Sequence, residues 1–193
     1  MSGIYLAGCE PASGKSAVAL GLQQLLVRRV SRLGVFRPVV AGRDGTDPLL
    51  DLLRSSGGAC APYDASVGVT YEQVRRDEAR ALDEIVARYH ALAAACDQVL
   101  VVGTDYAGVG TESEFAFNAR VALNLGLPVI WVVSGHDRRP DEIDAALSVA
   151  RGALERSDCE VAAAIANRVP RDAVAALEAR LAGTPYADTF VIP

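Results

Sequence analysis

The stretch "GCEPASGKS", residues 8–16, constrains this chain more than any other. The apolar run "GIYLAG" (3–8) precedes it, and an amphipathic helical pattern follows from Lys15. A strand that turns through glycine into a helix aims successive backbone N–H groups and the positive helix end at one place. Such a place attracts a chain of phosphates. Gly14 allows close approach of the backbone. Lys15 would reach the β- and γ-phosphates, and Ser16 would ligate Mg²⁺. Gly8, Ser13 and Ala17 complete the expected cradle for ATP or a related nucleotide. The bland alternative is a strand-to-helix turn with an incidental lysine. Against it, Lys15 is the only lysine in a chain with 18 arginines. Phosphate binding here favours a compact ammonium over a planar fork.

Beyond the loop, short apolar strands alternate with helical stretches. Residues 15–33 read as a helix closed by Gly34. "VFRPVV" (35–40) reads as a strand, 48–55 as a short helix, and 55–68 as an irregular excursion. Thr70 and Gln73 form a capping box for a long helix over 71–95. "QVLVVG" (98–103) and "PVIWVVSG" (128–135) have apolar residues on both faces, as buried parallel strands do. A helix at 113–125 lies between them. Pro140 starts a helix over 140–156. "EVAAAIANRV" (160–169) is a strand, Pro170 starts another helix, and "TFVIP" closes the chain as a strand. This order predicts an α/β, three-layer P-loop sandwich with a mainly parallel sheet, as a single domain over 1–193. Ligands in such sheets bind at the carboxyl ends of the strands. The loops after residues 8, 40, 103, 135 and 166 should therefore share one rim.

Composition narrows the partners. The net charge of −5 gives no general attraction to nucleic acid or anionic membranes. No long apolar run predicts a transmembrane helix, and the N-terminus has no basic leader pattern. A cytoplasmic location is expected. Cys9, Cys60, Cys96 and Cys159 are far apart and form no CxxC pair, which suits a reducing compartment and argues against zinc.

The loop spacing is G-x5-G-K-S, one residue longer than the common form, and this resembles dethiobiotin synthetase and its relatives. Partitioning ATPases carry a second lysine five positions before the loop lysine; Glu10 stands there instead. "IYLAGCEPASGKSAVALGL", "LGVFRPVV", "VVGTDYAG", "FNARVALNLGLPVIWVVSG", "AAAIANRV" and the closing "VIP" together resemble the N-terminal, dethiobiotin-synthetase-like domain of long phosphate acetyltransferases. The resemblance implies a regulatory or assembly domain. In that family a separate C-terminal domain converts acetyl-CoA and phosphate to acetyl phosphate and CoA, and relatives form homo-oligomers. It also implies site roles. Lys15 and Ser16 match the phosphate-loop residues, and Asp47 matches a metal-binding aspartate. Asn167 matches an asparagine that meets adenine. Arg37 stands where synthetases have a substrate-facing lysine, and Val102 where they have a metal-binding glutamate.

Loss of the carboxylate at 102 removes a Mg²⁺ ligand, so no residue is assigned a catalytic role. Two other readings stay open. One is an ATP-dependent ligase resembling dethiobiotin synthetase. The other is an oligomerisation module whose loop binds nothing. Asp105 is a further Mg²⁺ candidate, or an Asx-turn residue. Cys9 lies near a helix N-terminus that would lower its pKa, as a redox-sensitive thiol would need; the default reading is a small, half-buried loop residue. His136 and the pair Arg138–Arg139 sit on the expected rim, where the default reading is solvated side chains. The charged pattern over 71–90 reads as a solvated helix face, with Val74, Leu82, Ile85, Val86 and Tyr89 packed on the sheet or a partner.

Overall fold

The computed structural model describes residues 3–42, 47–104, 111–185 and 188–193, with the backbone alone at 111–113. Among the described residues the strands are β1 (Gly3–Gly8), β2 (Leu33–Val40), β3 (Val67–Thr70), β4 (Gln98–Val102), β5 (Val129–Ser134), β6 (Val161–Asn167) and β7 (Phe190–Ile192). They form one sheet in the order β3-β2-β4-β1-β5-β6-β7, with every pairing parallel. The helices are α1 (Lys15–Leu26), α2 (Pro48–Ser55), α3 (Tyr71–Arg76), α4 (Glu78–Ala93), α5 (Thr111–Leu125), α6 (Pro140–Arg156) and α7 (Val174–Leu181).

The strands alternate faces, and both faces are apolar. Leu6, Val35, Leu100 and Val132 pack on Val18 and Ala19 of α1 and on Leu50 and Leu53 of α2. From the opposite face Tyr5, Phe36, Val101 and Trp131 meet Ile85 and Tyr89 of α4, Ala122 of α5, and Leu147 of α6. The result is the expected three-layer sandwich, with a sheet that is dry on both sides. β1 lies between β4 and β5, so the chain passes from one side of β1 to the other after β4. That reversal opens a crevice at the carboxyl end of β1, where the loop 9–14 begins.

Several boundaries differ from the sequence reading. Helix α1 stops at Leu26, because Leu33 and Gly34 belong to β2. Gly34 is not a helix stop: a Cβ there would lie 2.9 Å from the Cys96 sulfur, so its role is close packing. The 55–68 stretch contains the start of β3, whose four residues are too few to show a period. Gly68 brings β3 close to β2, since a Cβ there would lie 2.2 Å from the Pro38 carbonyl oxygen. The helix expected over 71–95 breaks at Asp77, which is extended and caps α4 by accepting from the Arg80 N–H at 3.1 Å. The capping box of Thr70 and Gln73 is present, at 2.8 and 3.3 Å. Pro140 is the first residue of α6, as expected, whereas α7 begins at Val174, after a turn from Pro170. Among the described residues no helix is long and apolar enough to cross a membrane.

One buried polar side chain fastens the two helices beside the loop. Gln23 of α1 is fully buried and donates to the carbonyls of Leu53 (2.6 Å) and Gly57 (2.8 Å), while accepting from the Ser56 hydroxyl (3.0 Å). Replacing it with leucine strands those partners away from water. Gln23→Leu is expected to lower unfolding free energy by about 2 kcal/mol. Urea denaturation measures this, and a neutral substitution would show that the helix ends find solvent instead.

Candidate functional site

The loop between β1 and α1 is shaped by left-handed backbone at two positions. Ala12 has φ 56°, and Gly14, the N-cap of α1, has φ 79°. Gly14 is required twice over. Its φ disfavours a side chain, and a Cβ there would lie 2.2 Å from the Asn167 amide nitrogen. Helix α1 has no side-chain cap and no acidic residue in its first turn. No side chain of its own first turn therefore offsets its positive end. Ser13 is buried, Gly8 and Gly14 are half-buried, and Ser16 and Ala17 are exposed at that end.

Lys15 is buried, 2% exposed, and its ammonium donates to the carbonyls of Gly103 and Thr104, the latter at 3.1 Å. Arg37 reaches the same place from β2, donating to the carbonyls of Val102 (2.9 Å) and Gly103 (2.5 Å). Its other edge meets the Asp47 carboxylate at 3.1 Å. Arg37 is thus turned into the protein, in contrast to the substrate-facing lysine of the synthetase pattern. Asp47 is equally committed. Its Oδ2 faces Arg37, its Oδ1 accepts from the Leu50 N–H (2.9 Å) as the cap of α2, and its own N–H donates to the Tyr63 hydroxyl (2.6 Å). The aspartate expected to hold metal therefore has both oxygens engaged. Val102 is fully buried, as befits an aliphatic residue where the synthetases have a glutamate.

Contacts on the other side hold the loop from β5 and β6. The Asn167 amide donates to the Ser13 carbonyl (2.9 Å), and Arg168 donates to the Ala12 carbonyl (3.0 Å). The residue matched to adenine recognition thus supports the phosphate loop itself. Glu10 accepts from the Ser134 N–H (2.8 Å) and forms a two-pronged pair with Arg138, at 2.6 and 2.5 Å. Arg138 is therefore not the solvated side chain that its sequence suggested. Arg139 pairs with Asp141 at 2.9 Å, and His136 approaches Asp137 at 3.2 Å.

Asn118 is a residue that the sequence reading missed. It is fully buried on α5, accepting from the Tyr5 hydroxyl (2.7 Å) and the Thr104 N–H (3.0 Å). It also donates to the Thr104 hydroxyl (3.2 Å). No sequence signal set it apart from the other polar residues of α5, such as Glu114, Arg120 and Asn124. Cys9 is half-buried, as its default reading has it, but its thiol is not lowered. Burial first, then the adjacent Glu10 carboxylate, push its thiol well above the usual range. Asp105 lies outside the described residues. Among the described residues no three His, Cys, Asp or Glu side chains gather as a metal cluster.

The family described as AAA domain matches residues 2–185. The phosphate acetyltransferase of Nitratidesulfovibrio vulgaris (strain Hildenborough) is 34% identical over 172 residues, which are 86% of this chain and 24% of that protein. The phosphate acetyltransferase of Synechocystis sp. (strain PCC 6803) is 27% identical over 187 residues, 93% of this chain and 27% of that one. The chain spans about a quarter of the length of these curated relatives. Among solved structures, a plasmid partition protein of Borrelia burgdorferi B31 bound to AMPPNP superposes with a TM-score of 0.62 at 11% identity, covering 99% of this chain and 85% of that one. At that identity the likeness shows the fold, and the fold is of the P-loop type.

Two outcomes follow from the geometry. Asp47→Ala leaves the Arg37 charge buried and removes the cap of α2, so unfolding free energy should fall by roughly 3 kcal/mol. A loss below about 1 kcal/mol in urea denaturation would show that water reaches Arg37. For Cys9, a raised thiol stays protonated until the pH passes its folded value. Iodoacetamide at about pH 8.5, where a free thiol is half ionised, should therefore alkylate Cys9 far more slowly in the native chain than in urea. Equal rates in peptide mass mapping would contradict this.

Proposed function

The chain belongs to the AAA-domain family that matches residues 2–185, and from that premise we propose that it is a nucleotide-binding regulatory and assembly domain of a phosphate acetyltransferase. It takes ATP or a related nucleotide at the loop 8–17. The observation that carries this reading is the open, uncapped N-terminus of α1 behind a left-handed Gly14, with the chain's sole lysine at its first position. Backbone N–H groups at Gly14 to Ser16 meet phosphate oxygens, the Ala17 N–H joining only by leaving the Gly14 carbonyl at 3.0 Å, and the Lys15 ammonium exchanges its carbonyl partners for the β- and γ-phosphates. Magnesium, when bound, neutralises charge between the phosphates, with the exposed Ser16 hydroxyl as its protein ligand. Asp47 joins only by releasing Arg37, and Asp105 is proposed from its place after β4 in the sequence.

Acetyl transfer is proposed for a separate C-terminal domain, and a homo-oligomer and a cytoplasmic location for the parent protein. A ligase resembling dethiobiotin synthetase needs a free cation at 37 and a carboxylate at 102. The buried Arg37–Asp47 pair and the buried Val102 weigh against it. Calorimetric titration of ATP and ADP, with Mg²⁺, into the wild type and Lys15→Ala tests the proposal. Micromolar binding is expected for the wild type, weakened about tenfold or more in the variant, a loss of about 1.4 kcal/mol or greater. No binding by the wild type overturns the nucleotide reading and leaves an assembly module.

A further inference from the structure

Cys60 and Cys96, 36 residues apart in the chain, have their sulfurs 3.0 Å from one another, and both are free thiols. The approach is imposed by backbone pairing. The Cys60 N–H donates to the Leu33 carbonyl at 2.9 Å, beside a parallel bridge between Leu33 and Ala59. Next to Cys96, the Asp97 N–H donates to the Arg32 carbonyl at 2.8 Å, and the Asp97 carboxylate meets the Arg32 guanidinium at 2.8 Å. Both cysteines are therefore pinned to the entrance of β2. Gly34, also in β2, makes room for the Cys96 sulfur on its inner side.

The two thiols differ in access. Cys96 is buried, whereas Cys60 is exposed on a surface cleft of about 390 Å³ between residues 60–65 and α4, with Pro62, Asp64, Arg88 and Leu92 among its walls. A small oxidant entering this cleft meets the exposed Cys60 before the buried Cys96. Cys9 and Cys159 make no sulfur–sulfur contact among the described residues.

We propose that Cys60 and Cys96 are a redox modification site, closing to an intrachain disulfide by exchange with a low-molecular-weight disulfide. The Cys60 thiolate attacks one sulfur of the oxidant, breaks its S–S bond and releases one small thiolate, which takes up a proton. Cys60 then carries the mixed disulfide. Cys96 loses its proton to solvent and attacks the Cys60 sulfur, and the second small thiol leaves. Two electrons and two protons pass from the cysteines to the oxidant, and nothing else is consumed. Closure requires an approach of about 1 Å, from contact to the bonded separation. Burial, then the neighbouring Cys60, push the Cys96 thiol up to about 12, so Cys60 is the thiol that opens the exchange and Cys96 the one that resolves it. The bond would anchor the segment that runs on to Tyr63, the residue that accepts the Asp47 N–H at 2.6 Å.

The test treats the whole chain with oxidised glutathione, alkylates the remaining thiols, and maps peptides by mass without reduction. A peptide pair joining Cys60 to Cys96, two hydrogens lighter than its reduced parts and cleaved by dithiothreitol, is the expected result. Cys96→Ser should stop at glutathione on Cys60, and Cys60→Ser should leave Cys96 reduced. Wild-type protein that keeps glutathione on Cys60, joins Cys60 to another chain, or leaves both thiols open to alkylation overturns the proposal. The wild-type result decides without reference to either variant's folding, and independently of nucleotide binding.

Discussion

The carbonyl oxygen of Gly103 accepts from two cations at once, Lys15 and Arg37. It sits just past β4, where the sheet no longer supplies a donor, and a buried carbonyl needs one. A buried ammonium or guanidinium needs acceptors just as strictly. Each defect satisfies the other. The meeting also explains why residue 103 is glycine: a Cβ would lie 2.3 Å from Asn118 Oδ1 and 2.9 Å from the Tyr5 ring. Through Tyr5, Lys15, Arg37 and Asn118, this one peptide draws together β1, α1, β2 and α5. The crevice beside β1 takes its shape from that convergence.

The phosphate loop is held from its other side by contacts to its carbonyls and to Glu10. Asn167 and Arg168 take the carbonyls of Ser13 and Ala12, which pins the backbone just before the first turn of α1. Glu10 places a carboxylate within the loop proposed to take phosphate, which alone would repel it. Arg138 cancels that charge and, with the Ser134 N–H, binds the loop to the end of β5. A loop fixed in this way has less conformational freedom left to lose when a ligand arrives.

Much of the architecture was legible because its signals are local. Apolar runs of strand length, Pro140 at a helix start, the Thr70–Gln73 box and the glycine before Lys15 each act within a few residues. The split of the long helix at Asp77 was missed because one cap competes with an otherwise continuous helical pattern. Strand β3 was missed because four residues, one of them a glycine, carry almost no periodicity. The residues of the site were harder to assign. Lys15 and Gly14 could be named from the sequence, but the roles of Arg37, Asp47 and Asn167 came from resemblance. The geometry gives each a protein partner instead. Asn118 and Arg138 carried no sequence pattern that distinguished them from ordinary polar residues.

By itself the sequence determined the class of fold and the position of the loop, since alternating short strands and helices with apolar faces can be buried in few other ways. It also determined that the one lysine would stand at the first turn of α1. Only the tertiary structure decided what the charged side chains do. Glu10 finds Arg138 across 128 positions and Lys15 finds Gly103 across 88, while Cys60 finds Cys96 across 36. Such partners are set by strand order and register, and a single strand does not encode its neighbour. Burial then fixes the outcome, because a charge or thiol removed from water takes whichever partner the sheet has placed beside it.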